Sequence, residues 1–179
     1  MEIRPAQPDD AVALAKVHVD SWRTTYKGLM PDDYLASLSY AQREQMWRDI
    51  LTNSTVSTFV YVAEAAPNQI VGFVSGGPAR DGQTYAGELY AIYLLDNYQR
   101  QGIGRQLMLT LLQRLRQEGM ISLLLWVLAE NPARQFYEAF GGQSIKELVI
   151  TIGDAQLIEV AYGWPNIQVI LDRETAKQE

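Results

Sequence analysis

Six consecutive residues, Gln99-Arg100-Gln101-Gly102-Ile103-Gly104, combine a positive charge with two glycines at a point where the hydrophobic pattern changes period. Upstream, Leu89 to Leu95 is an unbroken apolar run rich in aromatic and branched residues, which suits a strand buried on both faces. Downstream, Ile103, Leu107, Leu111 and Leu115, flanked by Met108 and Leu112, recur at helical spacing, and Gly119 marks an end. The order is strand, glycine loop, helix. The first N–H groups of a helix lack intrahelical partners and its dipole is positive there, while glycines keep side chains out of a ligand's way. Arg100 and Arg105 add charge, so the stretch predicts an anion site, most simply for phosphate. The alternative is a tight turn. The run does not fit GxxxxGK[ST], since no lysine follows, or GxGxxG, since Leu107 and Met108 stand near the third glycine's place.

Proton chemistry has few candidates. The chain has no cysteine, which excludes disulfides, thiolate metal sites and a cysteinyl intermediate, and no metal is expected. Its one histidine is His18, expected to be structural rather than catalytic. Glu88 begins the central apolar strand, fourteen residues before Gly102, and simple alternation puts it on the face of Tyr90, Ile92 and Leu94. A carboxylate entering so apolar a strand loses water, which raises its pKa toward the range of a useful base; the alternative is a surface carboxylate. Tyr137 lies six residues past Asn131 on a short segment that begins after a second apolar run, Ser122 to Leu128. It is either a proton donor or a core tyrosine with its tip bonded.

The elements that must position these groups read as follows. Glu2 to Pro5 is a strand, and a helix starts at Pro8-Asp9-Asp10 and runs to about Tyr26. Further helices are expected over Asp32 to Leu38 and, capped by Ser39, over Tyr40 to about Leu51. Strands follow at Thr58 to Glu64 and Ile70 to Pro78, with a loop over Gly76 to Gln83. Asn131 to Phe140 is a short helix stopped by Gly141-Gly142, and Ser144 to Ile152 pairs with Gln156 to Tyr162 as a hairpin. Ile167 to Leu171 is expected to be a last short strand, and residues 172–179 a frayed polar tail.

Two of these stretches resemble the signatures of one family. Gln99 to Gly104 is similar to the Q/R-x-x-G-x-G/A pyrophosphate motif of the GCN5-related N-acetyltransferases (GNATs), preceded as there by an aromatic-rich strand. Trp126 to Gly142, containing Asn131, Ala133, Phe136, Tyr137 and Glu138, resembles the family's second signature, N-x-A-x-x-F-Y-E-x-x-G. The resemblance implies an α/β fold: a single domain over residues 1–171 whose mixed sheet is splayed between the glycine-loop strand and the next. It also implies an acetyl-CoA-dependent N-acetyltransferase that moves acetyl directly to a primary amine in a ternary complex. Glu88 would be the general base and Tyr137 the acid for the coenzyme A thiolate. Gln99, Arg100, Gln101, Gly102, Ile103, Gly104 and Arg105 would hold the pyrophosphate. Asn131, otherwise a helix N-cap, and the backbone at Leu94 would meet pantetheine, and Trp22 and Tyr26 would sit at the acceptor site, although an aromatic stripe at helical spacing is more often core. The departures are Asp96, where many relatives have proline, and a spacing from Asn131 to Tyr137 one residue shorter than in many of them. A rival reading keeps the fold as a non-catalytic acyl-CoA-binding module, and a third has protein amines as acceptors.

Composition narrows the partners. The 179 residues carry a net charge of -6, which argues against nucleic acid and is compatible with a cationic amine. Leu123 to Ala129 is too short to span a bilayer and no leader is visible, so the expected setting is cytoplasmic, with no membrane. The strands from Ser144 onward offer an edge for a homodimer.

Overall fold

Strands β1 (Glu2–Pro5), β2 (Phe59–Ala66), β3 (Gln69–Pro78), β4 (Gly87–Leu94), β5 (Leu123–Leu128), β6 (Gln143–Ile152) and β7 (Ala155–Trp164) form one sheet in the order β1-β2-β3-β4-β5-β7-β6. A computed structural model describes residues 1–53, 57–80 and 84–176 of the chain. Every neighbouring pair is antiparallel except β4 and β5. Those two pair in parallel only at Gly87–Leu89 against Leu123–Leu125, although β4 runs on to Leu94 and β5 to Leu128. The sheet is therefore mixed and splayed at its centre, as the resemblance implied.

Helices cover both faces. On one side lie α1 (Ala11–Thr25), α2 (Asp32–Ser37) and α3 (Tyr40–Thr52), on the other α4 (Ile103–Gln117), α5 (Arg134–Ala139) and α6 (Gln168–Thr175). The α4 stripe of Leu107, Leu111 and Leu115 is fully buried against Val74, Leu89 and Leu125 of the sheet. Each such leucine stabilises by about 2–3 kcal/mol through burial, so the amphipathic pattern alone fixes how α4 lies. Across the sheet, Leu14 and Val17 of α1 pack with Trp47 and Phe73. The start of α1 is pinned by Arg4, whose guanidinium bridges Asp10 (2.7 Å) and Glu64 (2.7 Å). The Ser39 hydroxyl caps α3 by accepting the Gln42 N–H at 3.3 Å. Among the described residues no helix is long and apolar enough to cross a membrane.

The structure corrects the sequence reading in three places. Gly76 to Pro78, which the expected strand Ile70 to Pro78 and the expected loop both claimed, belong to β3, because they continue the ladder against Gly87 to Leu89; residues 81–83 of that expected loop lie outside the described residues. The Asn131 to Phe140 segment opens with a turn, and its helix starts only at Arg134. The strand expected at Ile167 to Leu171 does not exist. That stretch enters α6, which continues to Thr175 through residues expected to fray. Ile167, Ile170 and Leu171 are buried while Val169 is exposed, which is the spacing of a helix face and not of a strand.

Candidate active site

The parting of β4 from β5 opens a cleft of about 860 Å³. Its floor is the β4 backbone, and at one end stands the loop leading into α4. Gly102 is the N-cap of α4 with φ 80°, a left-handed conformation that favours glycine, and no side chain caps the helix there. A Cβ placed on Gly102 would meet nothing within 4 Å, so that space is left to a ligand. With unpaired N–H groups at the helix start and Arg100 on the cleft wall, this cradle fits an anionic phosphate.

The other residues of the loop divide. Gln99, Gly104 and Arg105 also line the cleft, whereas Ile103 points into the core and the Gln101 amide donates to the Asn97 carbonyl at 3.0 Å. The Gln99 amide donates to the Leu94 carbonyl at 3.1 Å, so that oxygen, expected to be free at the strand's end, already has a partner. Arg105 is ion-paired with Glu174 of α6, a partner the sequence did not suggest.

Glu88 departs most from its expected setting. Gly76 pairs with Leu89 and Ser75 with Ala91, so Tyr90 has no partner across the ladder and β4 carries a bulge. The bulge reverses the side-chain parity. Leu89, Ile92 and Leu94 all pack toward α4, while Ala91 and Tyr93 face α1. Glu88, next to Leu89, therefore lies on the face opposite Ile92 and Leu94, contrary to simple alternation. It is 2% exposed and does not line the cleft. Nor is it alone: the Arg80 backbone N–H donates to one carboxylate oxygen at 2.9 Å, and the Arg80 guanidinium donates through Nε (3.0 Å) and Nη2 to the other. The carboxylate is thus one half of an ion pair rather than a lone group.

The opposite wall carries Tyr137 and Asn131. Tyr137 is buried on α5, and among the described residues its hydroxyl has no hydrogen-bond partner. Burial pushes its pKa well above the usual phenol value, so it keeps its proton at neutral pH. Asn131 accepts the Ala133 N–H at 2.9 Å, closing the turn before α5. Its place in the cleft wall and this turn-closing role coexist.

Toward α1 the cleft is lined by hydroxyls. Tyr26 lines the wall and its hydroxyl is 2.9 Å from that of Tyr93, both pKa values being raised by burial. Trp22 stacks edge-on against Tyr26 at 5.0 Å and contributes no cleft wall of its own. The sequence did not single out Tyr93, which hides within the apolar run of β4, or Arg80. It also passed over Glu159 of β7, a half-buried carboxylate near Tyr26 whose pKa burial pushes up against the pull of Arg80. His18 stacks on Tyr93 at 5.5 Å, outside the cleft lining.

Comparison with known proteins identifies the assembly. The model described as the acetyltransferase (GNAT) family matches residues 19–142. The chain belongs to the GNAT family. It is 42% identical over 169 residues to the uncharacterized N-acetyltransferase YuaI of Bacillus subtilis, covering 94% of this chain and 95% of that one. It is 23% identical over 133 residues to a spermidine N(1)-acetyltransferase of Thermoplasma acidophilum, covering 73% and 80%. The fold matches the crystal structure of the PaiA N-acetyltransferase of Thermoplasma acidophilum in complex with coenzyme A, with a TM-score of 0.71 at 23% identity over 88% of this chain and 96% of that one. This GNAT is thus an N-acetyltransferase, and its chemistry is acetyl-CoA-dependent acetylation.

Proposed function

We propose that this GNAT acetylates a primary amine of a small molecule by direct transfer within a ternary complex. The observation that carries the reading is the cleft between the parted strands, which has an open phosphate cradle at one end and the proton-bearing Tyr137 in its wall. The acceptor amine enters from the side of Tyr26. There Tyr26, Met30 and Leu35 pack with Leu128 and Leu157, so the segment around α2 roofs this end against the β6–β7 hairpin. A roofed pocket favours a small acceptor over a peptide lying in an open groove. The Thermoplasma relative named for spermidine supports the same direction.

An unperturbed alkylamine with a pKa near ~10 is mostly protonated at neutral pH and must lose a proton before it attacks. Glu88 accepts that proton, and because its carboxylate is set back from the cleft wall, the proton reaches it through water. The amine nitrogen bonds to the thioester carbonyl carbon, the carbon–sulfur bond breaks, the Tyr137 hydroxyl gives its proton to the departing sulfur, and the nitrogen sheds its surplus proton to solvent to leave the amide. Solvent then restores the phenol. The absence of cysteine excludes a cysteinyl acyl-enzyme and supports direct transfer.

Two measurements test this. The melting temperature with saturating acetyl-CoA is expected to rise: a ligand at a hundred times its Kd adds about 2.7 kcal/mol, and Gly102→Glu is expected to weaken the rise. Initial rates against both substrates are expected to give intersecting double-reciprocal lines. No thermal shift would overturn the cofactor site, and parallel lines would overturn the ternary complex.

A further inference from the structure

Ile167, Ile170, Leu171 and Glu174 stand at i, i+3, i+4 and i+7 of the C-terminal segment, the spacing of one helix face. The first three are buried in the core that α6 shares with α4. The fourth is a carboxylate, and it is 4% exposed. Packing gives no reason for an acid there. Leucine or methionine would continue the stripe, and replacing a buried ion pair by well-packed hydrophobic groups is often neutral or stabilising.

What the acid does is meet Arg105. The Glu174 carboxylate is ion-paired with Arg105 Nη2, and its other oxygen is 3.6 Å from Arg173 Nε. Arg105 belongs to the first turn of α4 and lines the cleft with Gly102 and Gly104. A guanidinium offers five N–H donors in a rigid fork, so fixing one edge on Glu174 leaves donors for an anion on the other. A long flexible cation so anchored loses less freedom when a phosphate binds.

We infer that Glu174 is a positioning residue of the cofactor site, clamping Arg105 so that its remaining donors face the phosphate end of acetyl-CoA. The C-terminal helix is thereby part of the cofactor-binding apparatus. This rests on the reading that the glycine loop holds the pyrophosphate.

The test is a double-mutant cycle on the full chain with Glu174→Met, Arg105→Met and the double variant, read as KM and kcat against acetyl-CoA and against S-acetylpantetheine, which has no phosphates. Glu174→Met is expected to raise the acetyl-CoA KM roughly three- to tenfold with kcat unchanged. It is expected to leave the S-acetylpantetheine KM unchanged and to have no further effect once Arg105 is methionine. Glu174→Gln, which keeps the shape and one acceptor oxygen, is expected to give a smaller rise in KM and guards against a folding failure of the methionine variant. A rise that is equal in both Arg105 backgrounds, equal for both thioesters, or absent overturns the inference, as does tighter binding. Should the wild-type protein show no preference for acetyl-CoA over S-acetylpantetheine, the pyrophosphate reading itself falls, a failure visible before any variant is made.

Discussion

The hydroxyls of Tyr26 and Tyr93 lie 2.9 Å apart, and this bond joins the C-terminal end of α1 to the central strand at the end of the cleft where we propose that the acceptor enters. Both groups are held above the usual phenol range, chiefly by burial. Tyr93→Phe removes one partner and leaves the other polar group poorly satisfied, which costs about 1–3 kcal/mol. The expected outcome is a lowered melting temperature and a raised KM for the amine, with the KM for acetyl-CoA unchanged. Steady-state kinetics varied in each substrate separately check this, and an effect confined to acetyl-CoA would remove the acceptor assignment for this end.

Tyr137→Phe gives a sharper separation of chemistry from structure. The hydroxyl has no partner among the described residues, so its loss breaks no protein hydrogen bond. General acid catalysis contributes about 10²–10⁴-fold, so kcat is expected to fall by at least ~10²-fold while the melting temperature barely moves. Unchanged kcat would mean that the sulfur takes its proton from elsewhere.

Glu88→Gln is expected to lower kcat at neutral pH by roughly 10²-fold, and the deficit is expected to shrink as pH rises toward the amine's own pKa near ~10, where the acceptor no longer needs a base. Arg80→Met tests the pair from the other side. It leaves the buried Glu88 carboxylate without its guanidinium counter-ion, with the residue 80 backbone N–H as its remaining donor, so the melting temperature is expected to fall. A pH-independent deficit in Glu88→Gln would assign the residue a structural role.

These assignments show where the sequence was informative. The strand, glycine loop and helix from Glu88 to Leu115 were legible because each obeys a local rule: an apolar run, a left-handed glycine, a 3.6-residue stripe. The side of the sheet on which Glu88 lies was not legible. One unpaired residue at Tyr90 reverses the parity of everything before it, and nothing local in the sequence marks a bulge between Leu89 and Ala91. Likewise α6 was misread because Ile167 to Leu171 is too short for its period to be secure. The informative residue, Glu174, lies one turn further on and looks like tail. Partners distant in sequence, such as Arg105 with Glu174, emerge only from the packing of α6 on α4.

His18, which does not itself line the cleft, yields a prediction about pH and stability. It is 7% exposed and ringed by Trp22, Trp47, Phe73 and Tyr93, and among the described residues its Nδ1 has no hydrogen-bond partner. Burial, helped by the nearby Arg43 charge, pulls its pKa down to about 3. The unfolded chain therefore binds a proton at His18 near pH 6.5 that the folded chain refuses, and stability falls as pH drops below about 6.5. Between pH 6.5 and 5 the loss is about 2 kcal/mol, and it continues until the folded-state value is reached. His18→Phe suits the aromatic surroundings and removes the only imidazole in the chain. The wild-type urea midpoint is expected to fall over this interval while that of His18→Phe stays nearly flat. Parallel midpoints in the two proteins would mean that His18 charges readily within the fold, contrary to its burial.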